Sequence, residues 1–156
     1  MKRHLQLQPL SRQHHNGLLA SILLKKGIKK AADPKDMAAF IIDFWQNDLE
    51  DHFKAEEDFL LPPLNEINFD KSLINTLLQE HSQLRSYIAS LKQNNTNINS
   101  IKLFADLLEQ HIRFEERQLF PAAEKSLSED QLKELCRHLH DGDAQNCMNY
   151  PVKFWE

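Results

Sequence analysis

The chain has 156 residues, 41% hydrophobic and 27% charged, with a formal net charge of −4. This length predicts one domain able to bury a core without staples, and the acidic balance argues against nucleic acid as a partner, which needs basic surface. Three glycines, six prolines and no run of β-branched alternation predict helices, and no stretch approaches the ~18 consecutive apolar residues of a membrane span.

The N-terminus reads M-K-R-H-L-Q-L-Q-P-L, basic but without the apolar segment of a signal peptide. Ser11 is the expected N-cap of a first helix running to about Lys30, with Leu18, Leu19, Ile22 and Leu23 as its apolar stripe. Lys25, Lys26, Lys29 and Lys30 at its end complement the helix dipole. Asp33 caps a second helix with Pro34 at its first position, carrying Phe40, Ile41, Phe44, Trp45, Leu49, His52, Phe53 and Glu56 on one face and ending at Pro62-Pro63. A third starts at Asp70 or a neighbour and carries Leu73, Ile74, Leu77, Leu78, His81, Leu84, Ile88 and Leu91. The polar run Gln93 to Asn97 breaks it. The fourth presents Ile101, Phe104, Leu107, Leu108, His111, Phe114 and Glu115 before Pro121. Ser128 and Gln131 form a capping box for a short fifth helix to about His140. Cys136 and Cys147 read as free thiols of a reducing compartment, which places the protein in the cytoplasm.

Four helices with short connections predict an all-α, up-down-up-down four-helix bundle with a short additional C-terminal helix. The expected division is a bundle over residues 1–126 and a C-terminal helix and tail over 127–156, packed on it. Two stretches of equal length stand out: H-F-K-A-E-E-D-F-L-L-P from His52 to Pro62 and H-I-R-F-E-E-R-Q-L-F-P from His111 to Pro121. In each, His and Glu four apart share a helix face, whereas Glu57 and Glu116, about 140° round, read as solvated or as acceptors behind a ligand. Antiparallel alternation makes helices two and four run the same way, so the two copies can meet at one depth. Each bundle helix also offers a histidine on or near its apolar face: His14 or His15, His52, His81 and His111. An imidazole on an apolar stripe needs a partner. Periodicity prefers His15, which leads Leu18, Leu19, Ile22 and Leu23 by three, four, seven and eight, with His14 as the alternative. Four histidines with Glu56 and Glu115 make a thiolate-free set, too many for one tetrahedral zinc but enough for two ions bridged by carboxylates.

The order His, His-x-x-x-Glu, His, His-x-x-x-Glu and the ending E-E-x-x-L-F-P resemble the hemerythrin-like (HHE cation-binding) domain family, over about Leu10 to Ala123. The resemblance implies a hemerythrin-like bundle with a non-haem di-iron centre. His15 (or His14), His52, His81 and His111 would be terminal ligands, and Glu56 and Glu115 the bridges. Manganese or zinc are alternative metals. The family's oxygen carriers have a second histidine on the third helix, where Leu77 and Arg85 flank here, and an aspartate five after the last histidine, where Glu115 is four after. The implied function is binding or sensing of O2, NO or H2O2. One alternative is a di-iron NO reductase, iron–sulfur repair or peroxide-detoxifying enzyme. Another is a helical interaction module without functional metal, using Leu132, Leu135, Cys136, Leu139, Met148, Tyr150 and Trp155, with a homodimer as one outcome. The absence of Glu-x-x-His and of H-E-x-x-H sequences disfavours a ferritin-like oxidase and the common zinc-protease reading.

Overall fold

A computed structural model describes residues 2–139 and 146–156, and they contain helices and no strand. His140 and Gly142, part of the expected fifth helix and tail, lie outside the described residues. A 3-10 turn, Leu5–Leu7, leads into helix α1, Gln8–Lys29. The helix begins ahead of Ser11 because Pro9 sits in its first turn, where a missing N–H costs nothing and φ is already helical. Helix α2 is a continuous rod over residues 34–65, capped by the Asp33 carboxylate. Helix α3, Lys71–Lys92, is capped by Asp70. Helix α4 occupies residues 98–126 and is capped by Asn97. Helix α5, Glu129–Arg137, has the Ser128/Gln131 capping box.

Neither Pro62 nor Pro121 ends its helix. Each is preceded by one wide π-helical turn, Glu56–Leu60 in α2 and Glu115–Leu119 in α4. In these turns the N–H of Leu61 donates to the Glu56 carbonyl, and that of Phe120 to the Glu115 carbonyl. A proline ring inside an α-helix crowds the carbonyl four residues back and leaves it without a donor. A one-residue bulge shifts the register and lets the helix continue. A third π turn, Trp45–Leu49, precedes His52.

The inward face of α1 differs from the stripe that periodicity favours. Leu10, His14, Gly17, Ser21 and Leu24 are buried, whereas Ile22 is 50% exposed and His15 is exposed. The cause is close packing of α1 on α4. The Ser21 hydroxyl donates to the Ala105 carbonyl at 2.8 Å. A Cβ on Gly17 would come within 2.7 Å of Ile112 Cδ1. Small residues at the contact hide the true face from a hydrophobicity count.

The apolar core falls into two clusters. One gathers Leu24, Phe40, Phe44, Leu84, Ile88, Phe104 and Leu108 with Phe154 and Trp155 of the tail. The other gathers Leu7, Leu10, Leu60, Leu77, Leu119 and Phe120 with Leu132 and Leu135 of α5. Much of the apolar surface that an interaction module would present is thus spent inside the chain, although Met148 stays 45% exposed. Between the two clusters lies a polar layer.

Candidate metal centre

Each bundle helix sends side chains into that layer: His14 from α1, His52 and Glu56 from α2, His81 from α3, and His111 and Glu115 from α4. All six are buried, the two glutamates completely. Their ligand atoms form two groups, His14–His52–Glu56–Glu115 and Glu56–His81–His111–Glu115, in each of which the atoms lie within 4.8 Å of one another. Both carboxylates belong to both groups. Each group brings together four ligand atoms that could hold a metal ion, and the two groups overlap at the carboxylates.

Specific contacts fill in the geometry. His111 Nε2 lies 2.6 Å from Glu115 Oε1, and His14 Nε2 lies 3.6 Å from the same oxygen. Glu56 Oε1 is 3.4 Å from His52 Nε2 and 3.3 Å from His81 Nε2. The Nε2 atoms of His14 and His52 face each other at 3.1 Å. Phe53 stacks flat on His81, with ring centroids 3.7 Å apart, and meets His111 edge-on. Of the first-helix candidates, His14 enters the cluster and His15 does not, which corrects the preference drawn from the periodicity of α1. The other five residues converge.

Behind the imidazoles is a second set of contacts. His14 Nδ1 lies 2.8 Å from Glu116 Oε1, His52 Nδ1 2.6 Å from Gln13 Oε1, His81 Nδ1 2.6 Å from Glu57 Oε2, and His111 Nδ1 3.0 Å from Glu80 Oε1. Each acceptor adjoins a cluster residue on one helix and serves the histidine of the next. Gln13 of α1 backs α2, Glu57 of α2 backs α3, Glu80 of α3 backs α4, and Glu116 of α4 backs α1. The ring closes around the bundle. With Nδ1–H donating outward, every Nε2 presents a lone pair to the centre, as a metal-binding imidazole requires.

Glu57 and Glu116 therefore face neighbouring helices, each in a further network. Arg85 donates two hydrogen bonds to the Glu57 carboxylate, at 2.7 and 3.0 Å, and Arg3 donates to the Glu116 carboxylate at 2.9 Å and to its backbone carbonyl at 2.7 Å. Burial opposes ionisation of Glu57, but the hydrogen bonds from His81 and Arg85 hold its carboxyl down to about 2. Burial likewise opposes ionisation of Glu116, and His14 with Arg3 brings it to about 2. Sequence reasoning missed Gln13 and Glu80. The available signal was a carboxylate or amide directly beside each cluster residue.

The centre is made to hold positive charge. Burial, reinforced by the neighbouring histidines, pushes His52 down to about 3 and leaves it a neutral imidazole. Among the described residues, neither oxygen of Glu56 or of Glu115, nor Nε2 of His81 or of His111, makes a hydrogen bond of good geometry, close as the imidazoles and carboxylates lie. Buried polar atoms in such number are rare unless something else satisfies them. Converging imidazole nitrogens and carboxylates fit cations.

Fold and cluster together define a helical metal-binding domain. The chain matches the hemerythrin HHE cation binding domain over residues 9–123, and it belongs to that family. Among curated proteins it is similar to a DNA nickase of Nostoc sp. (strain PCC 7120), 24% identical over 137 residues. That alignment covers 85% of this chain and 38% of the relative, so the chain spans well under half of that protein's length. No solved structure matches the chain. Among the described residues, no helix is long and apolar enough to cross a membrane.

Proposed function

We propose that the chain holds two iron ions, bridged by Glu56 and Glu115 and capped by His14 and His52 on one side and His81 and His111 on the other. On this reading it binds or senses O2, NO or H2O2. The supporting observation is that two four-residue groups share both buried carboxylates, whose oxygens accept no well-formed hydrogen bond among the described residues. Mixed imidazole and carboxylate ligation with no thiolate suits iron, with manganese or zinc as the alternatives. When bound, a carboxylate-bridged iron pair supplies reversible one- and two-electron redox change and coordination positions open to a small molecule.

The residues around the centre have definable tasks. Glu57, Glu80, Glu116 and Gln13 hold the protons on Nδ1 and keep each Nε2 aimed inward. Phe53 and Phe120 stack on His81 and His14 and keep bulk water from those rings. A cavity with about 20 Å³ of space for the centre of a water-sized sphere adjoins His14 and His52. That is room for about one such molecule, which favours a diatomic or peroxide over a larger organic substrate. The formal charge of −4 gives no footing for a nucleic-acid partner, so the activity in the relative's name is not carried over to this chain.

Elemental analysis of protein purified without chelator, with absorption spectra taken before and after reduction and O2 exposure, tests this reading. About two irons per chain and a spectrum that follows O2 or NO are the expected result. Stoichiometric zinc with a silent spectrum would replace iron in the account, and no stoichiometric metal at all would end it.

A further inference from the structure

The ring of acceptors has two arginines behind it. Arg85 forks onto the Glu57 carboxylate, at 2.7 and 3.0 Å, and Glu57 accepts from His81. The same guanidinium lies 5.5 Å over the Phe53 ring, which stacks on His81. Arg3 repeats this arrangement. It donates to the Glu116 carboxylate at 2.9 Å, and Glu116 accepts from His14. Its guanidinium lies 5.4 Å over the Phe120 ring, which stacks on His14. One arginine thus stands behind one imidazole of each four-residue group, reaching it both through a carboxylate and through a ring.

The two arginines differ in where they come from. Arg85 lies on α3 four residues after His81, so one helix carries both. Four after His14 on α1 stands Leu18, which has no charge to offer. The arginine for His14 comes instead from the arm ahead of α1. Arg3 also donates to the Glu124 carboxylate at 2.8 Å and to the Glu116 backbone carbonyl at 2.7 Å, and the His4 N–H donates to Glu124 at 2.8 Å. No described residue ahead of Leu7 is buried, so polar contacts centred on Arg3 hold this arm on α4. Glu116 is itself partly exposed. Without the guanidinium its carboxylate has less to keep it from turning to water, and His14 loses the acceptor that fixes its ring and its proton.

We propose that Arg3 is a positioning residue for the centre: docked on α4, the N-terminal arm fixes Glu116 and through it His14, and so retains the cation held by His14 and His52. This rests on the two-cation reading above. Arg3 touches no cation. When the arm lifts, His14 is loosened, whereas the His81/His111 group, whose arginine belongs to α3, keeps its hold. The arm therefore sets the rate at which one of the two cations leaves.

Anaerobic stopped-flow transfer of Fe(II) from the loaded full chain to an excess of a chelating dye tests this. Arg3→Ala is expected to release half of the iron roughly tenfold faster, the low end of the effect of losing a partner behind a metal ligand, and to leave the other half unchanged. Arg3→Lys keeps the charge without the planar fork and should fall between the two. Arg85→Ala should speed the other half, and the double variant all of the iron. Glu116→Gln should speed the same half as Arg3→Ala, and adding Arg3→Ala to it should change little, because both act through one carboxylate. General loosening of the fold would instead speed both halves equally in Arg3→Ala. That outcome, unchanged release in Arg3→Ala, fully additive effects with Glu116→Gln, or a double arginine variant that still releases only half of its iron fast would overturn the role of the arm. Loading with one iron per chain, or with none, would overturn the two-cation reading on which it stands.

Discussion

Glu56 and Glu115 have no exposed surface, and among the described residues their carboxylate oxygens accept no well-formed hydrogen bond. Leaving such a group unsatisfied costs about 1–3 kcal/mol, more when it is charged. Without metal the two residues oppose folding, and with metal they contribute to it. Glu56→Leu should therefore raise the melting temperature of the metal-free protein while cutting metal content to one ion per chain or fewer. Calorimetry on chelated protein and metal analysis read the two effects separately. Unchanged metal content would contradict the bridging role. Cys147 tests the surroundings. Burial, with Asp48 nearby, pushes its thiol from 9.0 up to about 12. Its folded value is raised, so its contribution to stability is complete below about pH 9 and is lost as pH climbs towards 12. Denaturant midpoints measured across that window should fall in the wild type and fall less in Cys147→Ala. The neutral, buried thiol should also resist alkylation at neutral pH until the chain unfolds.

The elements show how much of this was legible in the sequence. Five cluster residues were readable: His52, Glu56, His111 and Glu115 because a His and a Glu four apart share a face whether or not a π turn follows, and His81 because it lies on the apolar stripe of α3 with Leu77, Leu84 and Ile88. The choice on α1 was not. Hydrophobic periodicity weighs Leu18, Leu19 and Ile22, but α1 meets α4 through Gly17 and Ser21, which carry almost no hydrophobic signal. His14 shares that small-residue face and His15 does not. The prolines misled for a related reason: a proline usually ends a helix, and nothing local announces the bulge that lets Pro62 and Pro121 be passed. At the α1–α4 contact, Gly17→Ala gains about 1 kcal/mol of helix propensity but presses Cβ onto Ile112 Cδ1, and overpacking costs about 1–3 kcal/mol. A net loss near 1 kcal/mol is expected. Ile112→Val removes that methyl and should recover most of it in the double variant, a coupling that urea denaturation can measure. Additive losses would mean that the helices are not held at this contact.

At the scale of the whole molecule, a polar layer divides two apolar clusters, and each cluster is completed by a segment outside the four-helix core. Phe154 and Trp155 pack on Phe40, and Phe154 also lies where a side chain on Gly27 would clash. Removing residues 146–156 exposes these rings and the apolar surface beneath them. Stability should drop by several kcal/mol, at about 25 cal/mol per Å² of apolar surface uncovered. The metal count should hold, because all six cluster residues and their four acceptors lie outside the tail. Size exclusion should show a monomer before and after truncation; a dimer that the truncation abolishes would restore the tail as an interface. The ring of acceptors ties α1 to α2, α2 to α3, α3 to α4 and α4 back to α1, so metal loading should stiffen all four helices together. Hydrogen exchange on loaded and chelated protein would register this as protection gained in every helix rather than one.

The central claim is that two cations share Glu56 and Glu115, and iron-edge X-ray absorption on anaerobically reconstituted protein tests it most directly. Two irons per chain with iron–iron scattering at roughly 3–4 Å and a shell of nitrogen and oxygen neighbours is the predicted result. A single iron per chain with no iron–iron scattering, or iron with sulfur neighbours, would contradict it.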